Sequence, residues 1–315
     1  MRNNLKNYPK CLRSLNLWLN EPNFERRKIY EKIQPVLCDV SLRDGLQNIK
    51  NEDISKFSTN NKLNIYYKIL FNHHPSKIEI GSLVNPRFYG IFADTFDLFK
   101  IVCDDYYKRN IKVKSDLYIL TPNEKKVYSA KLRNVTNYSF ITATSNSFQR
   151  KNINKDLEKT KTEILNMCFT LKNIVNKNIK LYISCINKCP IEGLIDNDFI
   201  VKEILYYNNI EDIDEICLSD TCGNLNFEDY KYIVEQSSIN GLNINKLSLH
   251  LHCSNENLHN IRKIFNYSLD NNINKFDVSL LSSGGCSMTI DTKYLHHNMS
   301  YELFYKLLVD YIDDN

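Results

Sequence analysis

The sequence has no run near the roughly 20 consecutive apolar residues that a membrane-spanning helix needs, so no membrane partner is expected. Its first 30 residues lack the apolar core of a secretory signal. The ten cysteines are therefore read as reduced thiols of an intracellular protein and not as a disulfide framework. Charge of one sign is also missing. The 41 Lys and Arg against 37 Asp and Glu leave only +4, with lysines scattered among acids, so no basic stripe for nucleic acid is expected. Glycine is scarce, at 8 in the whole chain, and no Gly-rich turn follows the first apolar strand. That argues against an open dinucleotide-binding sheet. Alanine is scarce as well, while Asn, Ile, Lys and Tyr abound, which reads as an AT-rich coding sequence.

What is present describes a folded domain: 43% hydrophobic and 25% charged residues over 315 positions. Residues 1–30 are polar and basic, with Arg2, Lys6, Lys10 and Arg13 ahead of the first acid, Glu21. They are expected to be a tail or capping segment, in front of one catalytic domain over 31–315. A cytoplasmic protein is expected, with a mitochondrial presequence as the alternative.

From residue 36 a beat sets in. Apolar, β-branched or aromatic runs recur at 36–42, 78–83, 113–120, 138–144, 179–186, 215–218, 247–252 and 276–281. Stretches with helical spacing lie between them, clearest at 157–175, 199–207 and 261–269, and a closing helix is predicted over 301–312. Strand then helix, eight times in one domain, predicts a (β/α)8 TIM barrel, an α/β fold of eight parallel strands ringed by helices. Such a barrel typically takes about 250 residues and assembles its chemistry where the strands end.

Polar residues at those strand ends are the candidates. Arg43 and Asp44 follow the first strand as a cation beside a carboxylate. They read either as an oxyanion stabiliser beside a hard-metal ligand or as a local salt bridge, with Gly45 supplying positive φ. His250 and His252, two apart on the seventh strand, share its inward face. They read as a metal pair or as polar filler of the barrel, and with Asp44 across the rim they suit Mg²⁺ or Mn²⁺. Cys286 follows Gly284 and Gly285 after the eighth strand, as a thiol over the site or a spectator. Glu79 is read as an inward carboxylate that orients Arg43 or as an interior ion pair. Asp220 and Thr221, after the sixth strand, are site residues or loop caps. The polar loop 147–154, with Lys151 and Asn152, could hold phosphates or begin a solvated helix. Cys185 and Cys189 have a Cys-x3-Cys spacing with no second pair nearby, which is weak for zinc.

Together, Arg43-Asp-Gly-Leu-Gln-Asn48, Ile78-Glu-Ile-Gly-Ser-Leu-Val-Asn-Pro86, Leu120-Thr-Pro-Asn123, Lys151-Asn-Ile-Asn154, the run from Tyr182 to Gly193, Glu215-Ile-Cys-Leu-Ser-Asp-Thr221, His250-Leu-His-Cys253 and Gly284-Gly-Cys286 resemble the 3-hydroxy-3-methylglutaryl-CoA lyase family. The resemblance runs from about Val36 to about Leu308. It implies metal-dependent cleavage of a 3-hydroxyacyl-CoA to acetyl-CoA and an oxo acid such as acetoacetate. It also implies metal ligands at Asp44, His250, His252 and Asn298. By the same resemblance Arg43 stabilises the enolate oxygen, Cys286 handles a proton, Glu79 and Asp220 are supporting acids, and Lys50 lies near an acyl-CoA substrate. A homodimer is the assembly considered. A Claisen-type condensing enzyme or a non-catalytic relative on the same barrel are the alternatives. The chain differs from the family pattern at Cys253-Ser254 and in the Ser-Met-Thr run after Cys286.

Overall fold

The structure is a computed structural model that describes residues 9–20, 24–108, 111, 114–281, 283–284 and 296–315. Eight strands close a barrel: β1 (Val36–Asp39), β2 (Lys77–Ser82), β3 (Asp116–Leu120), β4 (Asn137–Ala143), β5 (Asn178–Ser184), β6 (Glu215–Ser219), β7 (Leu247–His250) and β8 (Lys275–Val278). Each pairs in parallel with its sequence neighbours, and β1 pairs with both β8 and β2, so the sheet has no edge. The (β/α)8 expectation holds, although most strands are shorter than their apolar runs.

Eleven α-helices are seen among the described residues: α1 (Leu12–Leu19), α2 (Phe24–Ile33), α3 (Thr59–His73), α4 (Thr95–Lys108), α5 (Glu124–Lys131), α6 (Asn146–Ile153), α7 (Leu157–Leu171), α8 (Asn197–Asn208), α9 (Phe227–Ile239), α10 (Leu258–Asp270) and α11 (Tyr301–Asp314). Their starts are set locally. Ser58, Asn123, Asp156, Asp196 and Ser300 each precede a helix and accept an N–H from three residues on. This satisfies a donor that the first turn leaves free. In the polar N-terminal stretch, α1 buries Leu15 and Leu19 and packs against α3.

Strand alternation sorts the side chains. In β5, Ile179, Leu181 and Ile183 join the apolar layer beneath the helices, while Lys180 and Tyr182 turn into the barrel. In β8, Phe276 packs on Phe265 of α10 and Phe304 of α11 at 4.8 and 5.7 Å between rings, while Asp277 between its apolar neighbours turns inward. The main core is thus the ring between sheet and helices. The barrel's interior is a column of paired charges, among them Lys180 with Glu215 and Asp277. Buried charges persist only when paired and hydrogen-bonded.

Candidate metal and catalytic site

Beyond β1 the chain makes a tight turn in which Gly45 and Arg43 N–H groups both reach the Val40 carbonyl. Gly45 does not adopt the positive φ that the local salt-bridge reading allowed it. Space is what it supplies, since a Cβ there would press on Ser279 Oγ at 3.3 Å. The turn lays Arg43 across the barrel mouth. Its Nε donates to Glu79 Oε2 at 2.5 Å, its Nη1 to Asp44 Oδ1 at 2.7 Å, and its guanidinium carbon sits 4.8 Å from the centre of the Tyr182 ring. Ser139 donates to the other oxygen of Glu79. Burial opposes charge on Arg43, but Glu79 in the first place holds it firmly protonated. Burial likewise opposes charge on Asp44, yet Arg43 and then the two imidazoles hold its carboxyl well below the usual range.

The two histidines are placed differently from the sequence reading. His250 ends β7, but His252 has left the barrel. With Cys253 it forms a short antiparallel pair with His297–Asn298. The physical reason is that the returning chain takes over the backbone groups: Met299 N–H donates to the Leu251 carbonyl. That pairing also carries Asn298 into the site. His250 Nε2 and His252 Nε2 lie 3.9 and 3.8 Å from Asp44 Oδ2, and Asn298 Nδ2 donates to that same oxygen at 2.9 Å. The other ring nitrogens are engaged: His250 Nδ1 meets Asp277 Oδ2 at 3.1 Å, and His252 Nδ1 meets the Asp220 carbonyl at 2.7 Å. Burial is the leading influence on both rings. It wins at His250, whose pKa is lowered, whereas at His252 the nearby Asp44 carboxylate outweighs it and the pKa is raised.

Two buried polar atoms here have no hydrogen-bond partner, His252 Nε2 and Asn298 Oδ1. Leaving such atoms unpaired costs about 1–3 kcal/mol each. Ring nitrogens, a carboxylate and an amide oxygen are the donor set of a divalent cation that keeps positions open for substrate oxygens. Asp44, His250 and His252 can bring their ligand atoms within 4.8 Å of one another, the one such group of three or more His, Cys, Asp or Glu among the described residues.

Arg43, Asp44, His250, His252, Asn152 and Thr221 line one cleft, with Gln47, Ile141, Phe148, Tyr182, Ser184 and Ser219. Ser219 Oγ is buried there without a partner. The expected residues do not all meet in this cleft. Lys50 and Lys151 are exposed and outside its lining. Asp220 aims its carboxylate at the N–H groups of Asn224 and Leu225, which closes its own loop, and burial pushes its pKa up to about 6. Only its main-chain oxygen reaches the site. Cys286 and Gly285 lie outside the described residues. Ser283 and Gly284 just before them are seated on the site, with Asn48 Nδ2 donating to the Gly284 carbonyl at 2.6 Å and Asn298 Nδ2 to the Ser283 carbonyl at 3.0 Å.

Cys185 and Cys189 lie in a small apolar cluster with Ala143 and Phe148. Cys189 Sγ there meets the Ser145 hydroxyl and the Ile191 and Glu192 N–H groups, not a second cysteine pair. Asp277, Lys180, Tyr182 and Ser219 were missed from sequence. Their signal was present, because each is a polar residue at an inward position of an alternating strand.

Known proteins resemble this chain in sequence and in fold. The family model described as HMGL-like matches residues 34–258. The mitochondrial hydroxymethylglutaryl-CoA lyase of Arabidopsis thaliana is 27% identical over 190 residues, which are 59% of this chain and 37% of that protein. The chain spans about half or less of the length of the curated relatives it matches. Among solved structures, hydroxymethylglutaryl-CoA lyase from Pseudomonas aeruginosa superposes with a TM-score of 0.73 at 22% identity, over 88% of this chain and 86% of that one. An HMG-CoA lyase from Acinetobacter baumannii, in complex with coenzyme A and 3-methylmalate, gives 0.72 at 20% identity, over 89% and 90%. At these identities the structural likeness is one of fold.

Proposed function

The chain belongs to the HMGL-like family, and on that premise we propose that it is a metal-dependent carbon–carbon lyase acting on 3-hydroxy-3-methylglutaryl-CoA or a similar 3-hydroxyacyl-CoA. The products would be acetyl-CoA and an oxo acid, acetoacetate for the parent substrate. One observation carries the reading. His252 Nε2 is buried without a hydrogen bond 3.8 Å from an ionised Asp44, in a group of one carboxylate and two imidazoles whose ligand atoms lie within 4.8 Å of one another, which a cation would complete.

Asp44, His250, His252 and Asn298 would hold Mg²⁺ or Mn²⁺. When bound, the ion would draw the substrate's hydroxyl and carboxyl oxygens together and ease loss of the hydroxyl proton. The chain's own groups supply the rest. Arg43 is held rigid by Glu79 and Asp44 and presents a fixed positive charge for the thioester enolate oxygen that forms as the carbon–carbon bond breaks. Asp44, ionised beside Arg43, would take the hydroxyl proton. Cys286, two residues beyond the seated Gly284, would return a proton to the enolate carbon and release the acetyl thioester. Asn152 and Thr221 on the cleft wall would contact the acyl part. The exposed Lys50 and Lys151 suit the wet, phosphate-bearing part of an acyl-CoA. The coenzyme A held by the Acinetobacter baumannii relative supports that substrate class.

The test is direct. Purified protein with Mn²⁺ and 3-hydroxy-3-methylglutaryl-CoA is expected to release acetoacetate, and a chelator is expected to stop it. Protein shown to be metal-loaded that releases neither acetoacetate nor acetyl-CoA from this or related 3-hydroxyacyl-CoA thioesters would overturn the reading.

A further inference from the structure

We infer that Asp277, anchored by Lys180 and Tyr182, is a positioning residue that fixes His250 as the Nδ1–H tautomer and turns its Nε2 lone pair toward Asp44. The argument starts from hydrogen-bond inventory. Asp277 Oδ1 receives the Lys180 ammonium, and Oδ2 receives the Tyr182 hydroxyl at 2.9 Å. A carboxylate that already takes donors at both oxygens can only accept again, so the His250 Nδ1 at 3.1 Å must carry the hydrogen. A neutral ring with its hydrogen at Nδ1 presents a lone pair at Nε2, the nitrogen that faces Asp44 at 3.9 Å.

The neighbouring ring is fixed the same way by a different device. His252 Nδ1 meets the main-chain carbonyl of Asp220, which has no hydrogen to give. The two devices are not equivalent. A carbonyl survives any side-chain substitution, whereas the orientation of His250 depends on one side chain and on the lysine and tyrosine that hold it. Lys180 is completely buried, with Glu215 Oε1 at 3.3 Å on its other side, so its charge serves the barrel interior and not solvent. Carboxylates behind histidine ligands raise ligand basicity, and their loss typically weakens metal binding roughly 10–100-fold.

The tautomer is a property of the chain alone, whereas the effect on metal affinity rests on the metal reading proposed above. The experiment separates the two. Full-length protein labelled with ¹⁵N-histidine is examined metal-free by NMR, with His250 assigned through His250→Gln. Mn²⁺ affinity is then measured by calorimetry. Wild type is expected to show a protonated Nδ1 and a lone-pair Nε2 at His250. Asp277→Asn is expected to mix the two tautomers and weaken Mn²⁺ about 10–100-fold. Lys180→Arg, which keeps the charge, should retain both wild-type properties. A proton on Nε2 in wild type overturns the inference. So does an Asp277→Asn protein with unchanged tautomer and unchanged Mn²⁺ affinity. The wild-type spectrum decides even if Asp277→Asn fails to fold. If wild type binds no Mn²⁺, the metal reading falls, and the tautomer of His250 still tests the role of Asp277.

Discussion

Asn298 donates from Nδ2 to Asp44 Oδ2 at 2.9 Å, across 254 positions of sequence. One residue follows the first barrel strand and the other precedes the last helix. Their contact brings the Asn298 amide beside the Asp44, His250 and His252 group.

Replacing either end of that set should abolish metal binding. Asp44→Ala and His252→Ala are each expected to lose more Mn²⁺ affinity than the roughly 10–100-fold typical of outer partners. Calorimetric titration of the purified variants checks this. Near-wild-type affinity in both would place the ion elsewhere.

Arg43→Gln should separate chemistry from metal binding. Removing a fixed charge aimed at a developing oxyanion typically lowers kcat by about 10²–10³. It also strands the buried Glu79 carboxylate, which costs about 3–5 kcal/mol. The double variant Arg43→Gln with Glu79→Gln should regain thermal stability and remain inactive. Turnover at saturating Mn²⁺, read beside melting curves, distinguishes the two effects.

Gly284→Ala is expected to damage the site without unfolding the protein. An added Cβ would lie 2.6 Å from Asp44 Oδ2 and closer still to Asn298 Nδ2. The backbone φ of +151° also disfavours a side chain. Mn²⁺ affinity and turnover should both fall, with a melting temperature close to wild type. An unaffected Mn²⁺ affinity would refute the proposed seating.

Glu215 predicts a pH window. Burial opposes its charge, but Lys180 and then Lys77 lower its pKa from 4.5 to about 2. A carboxyl whose folded pKa is depressed stabilises fully above its unfolded value. That contribution is lost as pH falls through the folded value. Denaturant melts should therefore lose stability between about pH 4.5 and about pH 2. In Glu215→Gln this part of the slope should flatten. An unchanged slope would remove the assignment.

Phe276→Ala is the packing control. Phe276 is buried between Phe265 and Phe304 on the helix side of β8, next to the inward Asp277. Its truncation should cost about 3–5 kcal/mol. Metal affinity of the folded fraction should stay at the wild-type level, because the change lies on the opposite face of the sheet.

Much of the fold was legible because its signals are local. An apolar beat with polar residues interleaved is a statement about neighbours along one strand, and it located all eight strands, with the ends displaced by a few residues. Arg43 and Glu79 could be named from strand-end position and inward phase, and the structure joins them at 2.5 Å. Other features were not legible. Spacing put His252 on the seventh strand, but pairing with His297–Asn298 draws it off. Gly45 is needed for room beside Ser279, a residue distant in sequence that its own turn does not reveal.

By itself, then, the sequence determined the order of elements, the inward or outward phase of each strand residue, and the residue types available at the rim. Those follow from backbone geometry, which repeats every two residues in a strand whatever surrounds it. Only the tertiary structure decided that Asp277 stands behind His250, that Lys180 stands behind Asp277, and that Asn298 closes on Asp44. These contacts depend on the register with which the barrel closes, a sum over every strand pairing and return loop, and no short stretch of chain contains that sum.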